Sequence, residues 1–344
     1  MATMTCEQPV RIDGLFDDPD AVRLLVARHA PYWPVMRYFA NPAEEAVQNA
    51  GKSVEAGRDA AKQARAMKVM PVFRGDWAYD KPKVDGAEAI LHDAKLIEAA
   101  KQVFGGSVVV PQIVFVNLTT PMPSQPTGHV DIPAFRGIDR TEHPTWLLQM
   151  MGQSGLFEDA RIRIATSVAW LYRGENGGFG YWPDGPGGAR QRHAGALDNT
   201  AIVGDNDFMF HQVERVGSPD DPLATGLTLD SLLHPAADDP DSRGLGADGR
   251  GDWVITDDGD ERYRLPFDKV RISVSWKAKV FRDREEQRIA DEHLDDISLD
   301  EVVDRFVADL ADRGVDCVRP NDPHGDVDFI TTLAATYRST PSTI

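Results

Sequence analysis

The chain has 344 residues, with 37 lysines and arginines against 55 aspartates and glutamates, a formal net charge of −18. So acidic a chain is not built to neutralise phosphates, because nonspecific binding to DNA, RNA or an anionic membrane needs clustered Lys and Arg. No stretch approaches the roughly 18 apolar residues of a membrane span, and Met1 to Val10 lacks the basic and apolar regions of a secretory leader. Cys6 and Cys317 stand far apart with no CxxC spacing. The expectation is a soluble cytoplasmic protein without cysteine-based zinc or iron-sulfur sites, any metal being held by His and carboxylate.

Asp18-Pro19-Asp20 is a cap-like start to a helix carried by Val22, Leu24, Leu25 and Val26, which Pro31-Tyr32-Trp33-Pro34 breaks. Pro42 to Met67, rich in Ala with scattered charge, reads as one or two solvent-facing helices, and Val69 to Lys83 as a loop packed on the core. Ile90, Leu91, Ala94, Ile97 and Ala100 keep a helical period that stops at Gly105-Gly106. The period then changes. Val108 to Leu118 is β-branched and apolar nearly throughout, a buried strand bent at Pro111. A proline-rich loop, Thr119 to Thr127, leads to Gly128-His129-Val130-Asp131.

On a strand, residues two apart share a face, so His129 and Asp131 can grip one ion from the same side. A helix around Trp146-Leu147-Leu148 follows, then a strand Arg161 to Tyr172 and a glycine-aromatic turn, Gly177 to Gly185. Further strands are read at Thr200 to Val203 and Asp207 to Val213, the second carrying His211 on one face with Met209 and Val213. Two imidazoles and one carboxylate on one side of an ion, with the opposite positions open, is the ligand set of a mononuclear non-haem iron(II) oxygenase. His293-Leu294-Asp295 and His324-Gly325-Asp326 repeat the His-x-Asp spacing. The first lies in a charged helical region and the second in a Pro-Gly loop with no later histidine, so context selects His129, Asp131 and His211.

From Gly217 to Asp260 the composition turns to Asp, Gly and Pro and reads as a long surface excursion with weak β signal at Trp253-Val254-Ile255, a candidate lid. Tyr263 to Phe281 returns to strand, with Arg271, Ser273, Ser275 and Lys277 on one face against Ile272, Val274, Trp276 and Ala278. An inward Arg needs an anionic partner, which a ligand carboxylate would supply. The tail is helical, opened at Ser298 by a capping-box pattern with Glu301.

Taken in order, Gly128-His129-Val130-Asp131, Glu175 to Pro183, Phe210 to Val216 and Arg271-Ile272-Ser273 resemble the iron(II)- and 2-oxoglutarate-dependent oxygenase superfamily, in its prolyl-hydroxylase-like branch. The resemblance covers residues 108 to 281. It implies an α+β chain with a double-stranded β-helix (jelly-roll, cupin-like) core, flanked by helices. One domain is expected: an N-terminal helical region over 1–107, the catalytic core over 108–281 with an insertion at 217–260, and C-terminal helices over 282–344. It implies Fe(II) held by His129, Asp131 and His211, and 2-oxoglutarate held at its distal carboxylate by Arg271 and Ser273. The same resemblance implies dioxygen as the oxidant and hydroxylation of a small molecule or amino-acid side chain, with release of succinate and CO2. Sixty residues separate His211 from Arg271, farther than is usual in the family, which leaves Arg262 and Arg264 as alternatives. Arg136, Tyr181 and Trp182 are candidates for the substrate entrance. The alternatives are a cupin-like metal-dependent isomerase or lyase, which would not need Arg271 and Ser273, and a non-catalytic jelly-roll binding protein, which the intact His129, Asp131 and His211 disfavour.

Overall fold

In chain order the strands are β1 (Val10–Asp13), β2 (Trp33–Pro34), β3 (Val72–Tyr79), β4 (Lys81–Pro82), β5 (Val108–Thr119), β6 (Ala134–Phe135), β7 (Arg161–Trp170), β8 (Phe179–Trp182), β9 (Gln191–His193), β10 (Thr200–Gly204), β11 (Phe210–Val213), β12 (Leu232–Pro235), β13 (Trp253–Asp257), β14 (Asp260–Leu265) and β15 (Arg271–Phe281). The helices are α1 (Pro19–Arg28), α2 (Met36–Phe39), α3 (Ala87–Leu91), α4 (Ala94–Phe104), α5 (Thr145–Ser154), α6 (Arg284–Asp291), α7 (Leu299–Asp312) and α8 (Val327–Tyr337). This computed structural model describes residues 6–39, 69–125, 128–236 and 251–338. The helices expected between Pro42 and Met67 lie outside them.

β15 runs through the middle of a nine-stranded antiparallel sheet ordered β1-β10-β7-β15-β5-β3-β2, with β4 on β3 and β6 on β7. The alternation along β15 sorts its two faces. Ile272, Val274, Trp276 and Ala278 are buried in one core cluster with Leu96, Ala100 and Val103 of α4, and the Trp276 indole donates to the Leu91 carbonyl at 2.8 Å. Ile272, Val274 and the larger aliphatic side chains of this cluster each contribute about 1.5–3 kcal/mol by leaving water. Arg271, Ser273, Ser275 and Lys277 take the other face. That face looks toward a three-stranded sheet, β11-β8-β9, and Trp170 of β7 meets Phe179 of β8 across the gap at 5.8 Å between ring centroids. Pro111 has no N–H for the ladder, and the β15–β5 register shifts opposite it, between Lys277 and Ala278.

Several expectations are corrected. Val69 to Lys83 is not a loop: β3 pairs with β5, and Phe73, Trp77 and Ala78 are buried. The region before residue 108, expected as helical, therefore also supplies strands on both flanks of the sheet. The single helix to Phe104 is two, because Asp93 stops to cap the second through Leu96 N; Gly105, at φ +64°, ends it in the left-handed conformation as expected. Within 217–260 the chain is not a bare excursion. β12, β13 and β14 form a third sheet. Leu233, Trp253 and Ile255 join the main core, and Tyr32 exchanges both backbone hydrogen bonds with Leu233. This sheet accounts for the long spacing between His211 and Arg271. Such burial ties its ends to the outer core, so a lid is not supported by the described part. Residues 237–250 lie outside the described residues.

The C-terminal helices form a separate layer with α5. Phe306 and Phe329 pack with Leu147 and Met151, and the capping box of Ser298 and Glu301 opens α7 as the sequence predicts.

Candidate metal centre

The chain reaches the centre on a short pairing rather than on the regular strand expected at 128–131. His129 and His211 exchange both backbone hydrogen bonds, at 2.9 Å each, as an isolated antiparallel bridge. Directly opposed residues project to one face. Their rings accordingly lie 4.3 Å apart, centroid to centroid. Asp131, two residues on, is held by donating its N–H to the Asn206 carbonyl at 2.9 Å. Val130 points the other way, into a small cluster with Trp182 and Phe210. The result is one potential ligand atom from each of His129, Asp131 and His211, all within 4.8 Å of one another. Among the described residues this is the one such group of three.

His211 is buried, and its Nδ1 lies 3.0 Å from the Met209 carbonyl. That bond fixes Nδ1 as the protonated nitrogen and leaves Nε2, 3.6 Å from Asp131 Oδ1, with its lone pair toward the group. The ring also stacks on Phe179, at 5.4 Å and 28°. His129 is the most open of the three. Loss of hydration at its ring nitrogens and the neighbouring His211 push it down to about 4, so its imidazole is neutral at pH 7. Burial raises the Asp131 carboxyl, but Lys277 and the two imidazoles outweigh it and hold the group well below the usual carboxylate range.

Lys277 was legible only as an inward residue of β15. Its Nζ donates to Asp131 Oδ2 at 2.7 Å and lies 3.7 Å from Asp207 Oδ1. Asp207, with 1% of its side chain exposed, has no hydrogen-bond partner at either oxygen. Burial pushes it up to about 7 against the pull of Lys277. Nothing in the sequence marks Asp207, which sits in the turn before Met209.

At the other end of the same face, Arg271 is 2% exposed and faces no carboxylate among the described residues. Its Nε donates to the Gly177 carbonyl at 2.8 Å, Nη1 lies 3.4 Å from Ser273 Oγ, and Nη2 is buried without an acceptor. Burial pushes it down to about 10. The alternatives stand in the open: Arg262 is exposed, and Arg264 pairs with Glu261 at 3.0 Å.

The three entrance candidates part company. Tyr181 is the Cα partner of His211 in the β8–β11 pair and shares its face. Trp182, the next residue, takes the opposite face and is 6% exposed in the cluster with Val130 and Phe210. Arg136 is spent on Asp295, at 2.6 Å, and on the Asp159 carbonyl.

No helix among the described residues is long and apolar enough to cross a membrane. No family model matches the chain and no curated protein matches it in sequence. Solved structures do align with it. A prolyl-4-hydroxylase of Pseudomonas putida is 11% identical, over 80% of this chain and 94% of that one, with a TM-score of 0.35. A prolyl hydroxylase of Trichoplax adhaerens, solved with a hypoxia inducible factor peptide fragment, is 10% identical over 82% and 86%, with a TM-score of 0.37. HygX of Streptomyces hygroscopicus, solved with nickel, 2-oxoglutarate and hygromycin B, is 8% identical over 80% and 83%, with a TM-score of 0.36. The chain is similar to these three structures at identities of 8–11% and TM-scores of 0.35–0.37.

Proposed function

We propose that the chain is an iron(II)- and 2-oxoglutarate-dependent oxygenase, a single catalytic domain whose two facing sheets are those of a double-stranded β-helix. His129, Asp131 and His211 would hold the ion, and Arg271 with Ser273 the distal carboxylate of 2-oxoglutarate. The donor set fits iron(II): two imidazoles and one carboxylate, gathered on one side. The observation that carries the reading is Arg271. A buried guanidinium with a free Nη2 and, among the described residues, no acid beside it is costly unless an anion arrives, and a carboxylate accepts from Arg in fork geometry. An isomerase built on the same sheets has no use for it.

With iron(II) bound, such a centre couples dioxygen to the decarboxylation of 2-oxoglutarate and to oxidation of a substrate C–H bond, releasing succinate and CO2. The protein's own contribution is placement. His211 is locked by Met209, Asp131 by Asn206 and Lys277, and Arg271 by Gly177. Trp170 and Phe179 are buried together, and the Trp170 ring lies 5.7 Å from the Arg271 guanidinium carbon, so an anion on Arg271 would meet an apolar wall. Tyr181, half-buried on the His211 face, is assigned to the substrate side, and the substrate to a small molecule or an amino-acid side chain.

The test is succinate formation by the iron-loaded protein with 2-oxoglutarate and ascorbate, beside Arg271→Ala. Turnover that needs 2-oxoglutarate and collapses in the variant supports the reading. No 2-oxoglutarate binding to the metal-loaded protein would overturn it in favour of the isomerase.

A further inference from the structure

We propose that Lys277 is the positioning residue of the metal-binding carboxylate: its ammonium takes Asp131 Oδ2 at 2.7 Å, so that Oδ1 alone is offered to an ion beside the two histidines. The proposal rests on the reading of His129, Asp131 and His211 as a metal site, and it concerns what the chain does to that site rather than whether one exists.

The geometry is not that of a surface ion pair. Lys277 lies at the centre of β15, with 17% of its side chain exposed, and its ammonium sits between two carboxyls brought from different parts of the chain. Asp131 is the near partner. Asp207, at 3.7 Å, is the far one, and its position behind the ammonium favours keeping the lysine at this spot. Asp131 Oδ1 faces His211 Nε2 at 3.6 Å, while Oδ2 is taken. The two oxygens of one carboxylate therefore have different tasks.

A lysine is an odd choice if tight metal binding were all that mattered, because a positive charge beside the site opposes a divalent cation. Its gain lies elsewhere. A carboxylate with both oxygens free can chelate an ion and take two of its positions. The proposed chemistry needs the positions opposite the three protein ligands for a bidentate keto acid and for dioxygen. An ammonium on Oδ2 limits Asp131 to one bond and leaves those positions open. Partners of metal ligands commonly matter at this level, and their loss changes metal affinity or activity by about 10–100-fold.

The test uses the full chain loaded with cobalt(II), read by its visible absorption spectrum, by cobalt titration and by titration of 2-oxoglutarate without turnover. Lys277→Met is expected to keep cobalt affinity within about threefold, to change the spectrum as Asp131 becomes able to chelate, and to weaken 2-oxoglutarate about tenfold. Lys277→Arg, which restores the charge, is expected to return the wild-type spectrum. A folded Lys277→Met with the wild-type spectrum and 2-oxoglutarate affinity overturns the proposal and leaves the metal site standing. Wild-type protein that takes up no cobalt overturns both. If Lys277→Met does not fold, Lys277→Met with Asp207→Asn, which also removes the second acid, is read by the same criteria. Failure of both to fold overturns the proposal, because the lysine then serves the core and not the aim of Asp131.

Discussion

Arg271 donates through Nε to the carbonyl of Gly177 at 2.8 Å, and that bond sets where the rest of its guanidinium points. Gly177 can do this only as glycine. Its φ is +73°, and a Cβ there would stand 2.8 Å from Tyr172 Cε1 and 3.1 Å from Arg271 Cδ. Gly177→Ala should therefore strain the turn and displace the arginine together, at a cost of about 1–3 kcal/mol in stability. Urea unfolding and 2-oxoglutarate titration should both shift. A loss of stability with unchanged ligand affinity would separate the turn from the arginine.

Arg271→Met should divide binding from stability. Among the described residues the guanidinium is buried without an acid, so removing its charge relieves a desolvation cost that offsets loss of the Gly177 hydrogen bond, the long Ser273 contact and the Trp170 face. Ligand-free protein should unfold at no lower urea concentration than wild type. The affinity for 2-oxoglutarate should fall by about 2–5 kcal/mol, the usual loss for one partner of a buried charge pair. A strong drop in ligand-free stability would mean that Arg271 is a structural residue.

Neighbours on β8 should behave in opposite ways. Trp182→Ala empties the cluster with Val130 and Phe210 and should cost about 3–5 kcal/mol in stability, leaving metal binding in the folded fraction intact. Tyr181→Ala, on the His211 face, should cost far less stability and act on substrate turnover. His211→Ala should abolish stoichiometric uptake of a divalent ion. Metal content, thermal melts and turnover across the three variants check this, and full metal occupancy in His211→Ala would remove it from the centre.

These residues also show how far the sequence could be read. The triad was legible because alternation in His129-x-Asp131 and a later apolar strand with His211 are local patterns. Arg271 was legible because strand alternation put it opposite a row of apolar residues. Tyr181 and Trp182 were not separable, since adjacent strand residues face opposite ways and only the register with His211 and Phe210 decides which shares the face of His211. β3 was missed because Gly75, Asp76 and flanking prolines hide a strand that depends on pairing with β5. In β12, Leu232 to Pro235 is too short to signal alone and is fixed by Tyr32 and β13. The partnership of Lys277 with Asp131 and Asp207 joins three distant parts of the chain, and no local pattern could announce it.

Asp207 makes a prediction about pH with a definite sign. Burial raises its carboxyl from the usual 3.8 to about 7, while Lys277, already 2.7 Å from Asp131, pulls it down only in part. Between pH 4 and 7 the folded protein thus holds a proton that the unfolded chain has released, and folding stability from this group falls as pH rises through that window. Three pH units at 1.36 kcal/mol each set an upper bound of about 4 kcal/mol. His129 acts in the reverse sense: its depressed value favours the fold above pH 6.5, a contribution lost as pH falls toward 4. Asp131, depressed, loses its contribution only below the ordinary carboxylate range. The measurement is therefore a difference that cancels both: urea midpoints of wild type and Asp207→Asn, ligand-free, at pH 5 and pH 8. The amide mimics the neutral acid, so the variant should be more stable by about 1.5 kcal/mol at pH 5 and by about 4 kcal/mol at pH 8, an increase of about 2–3 kcal/mol between the two. An equal difference at both pH values would mean that Asp207 is charged throughout and shares Lys277 with Asp131 on even terms.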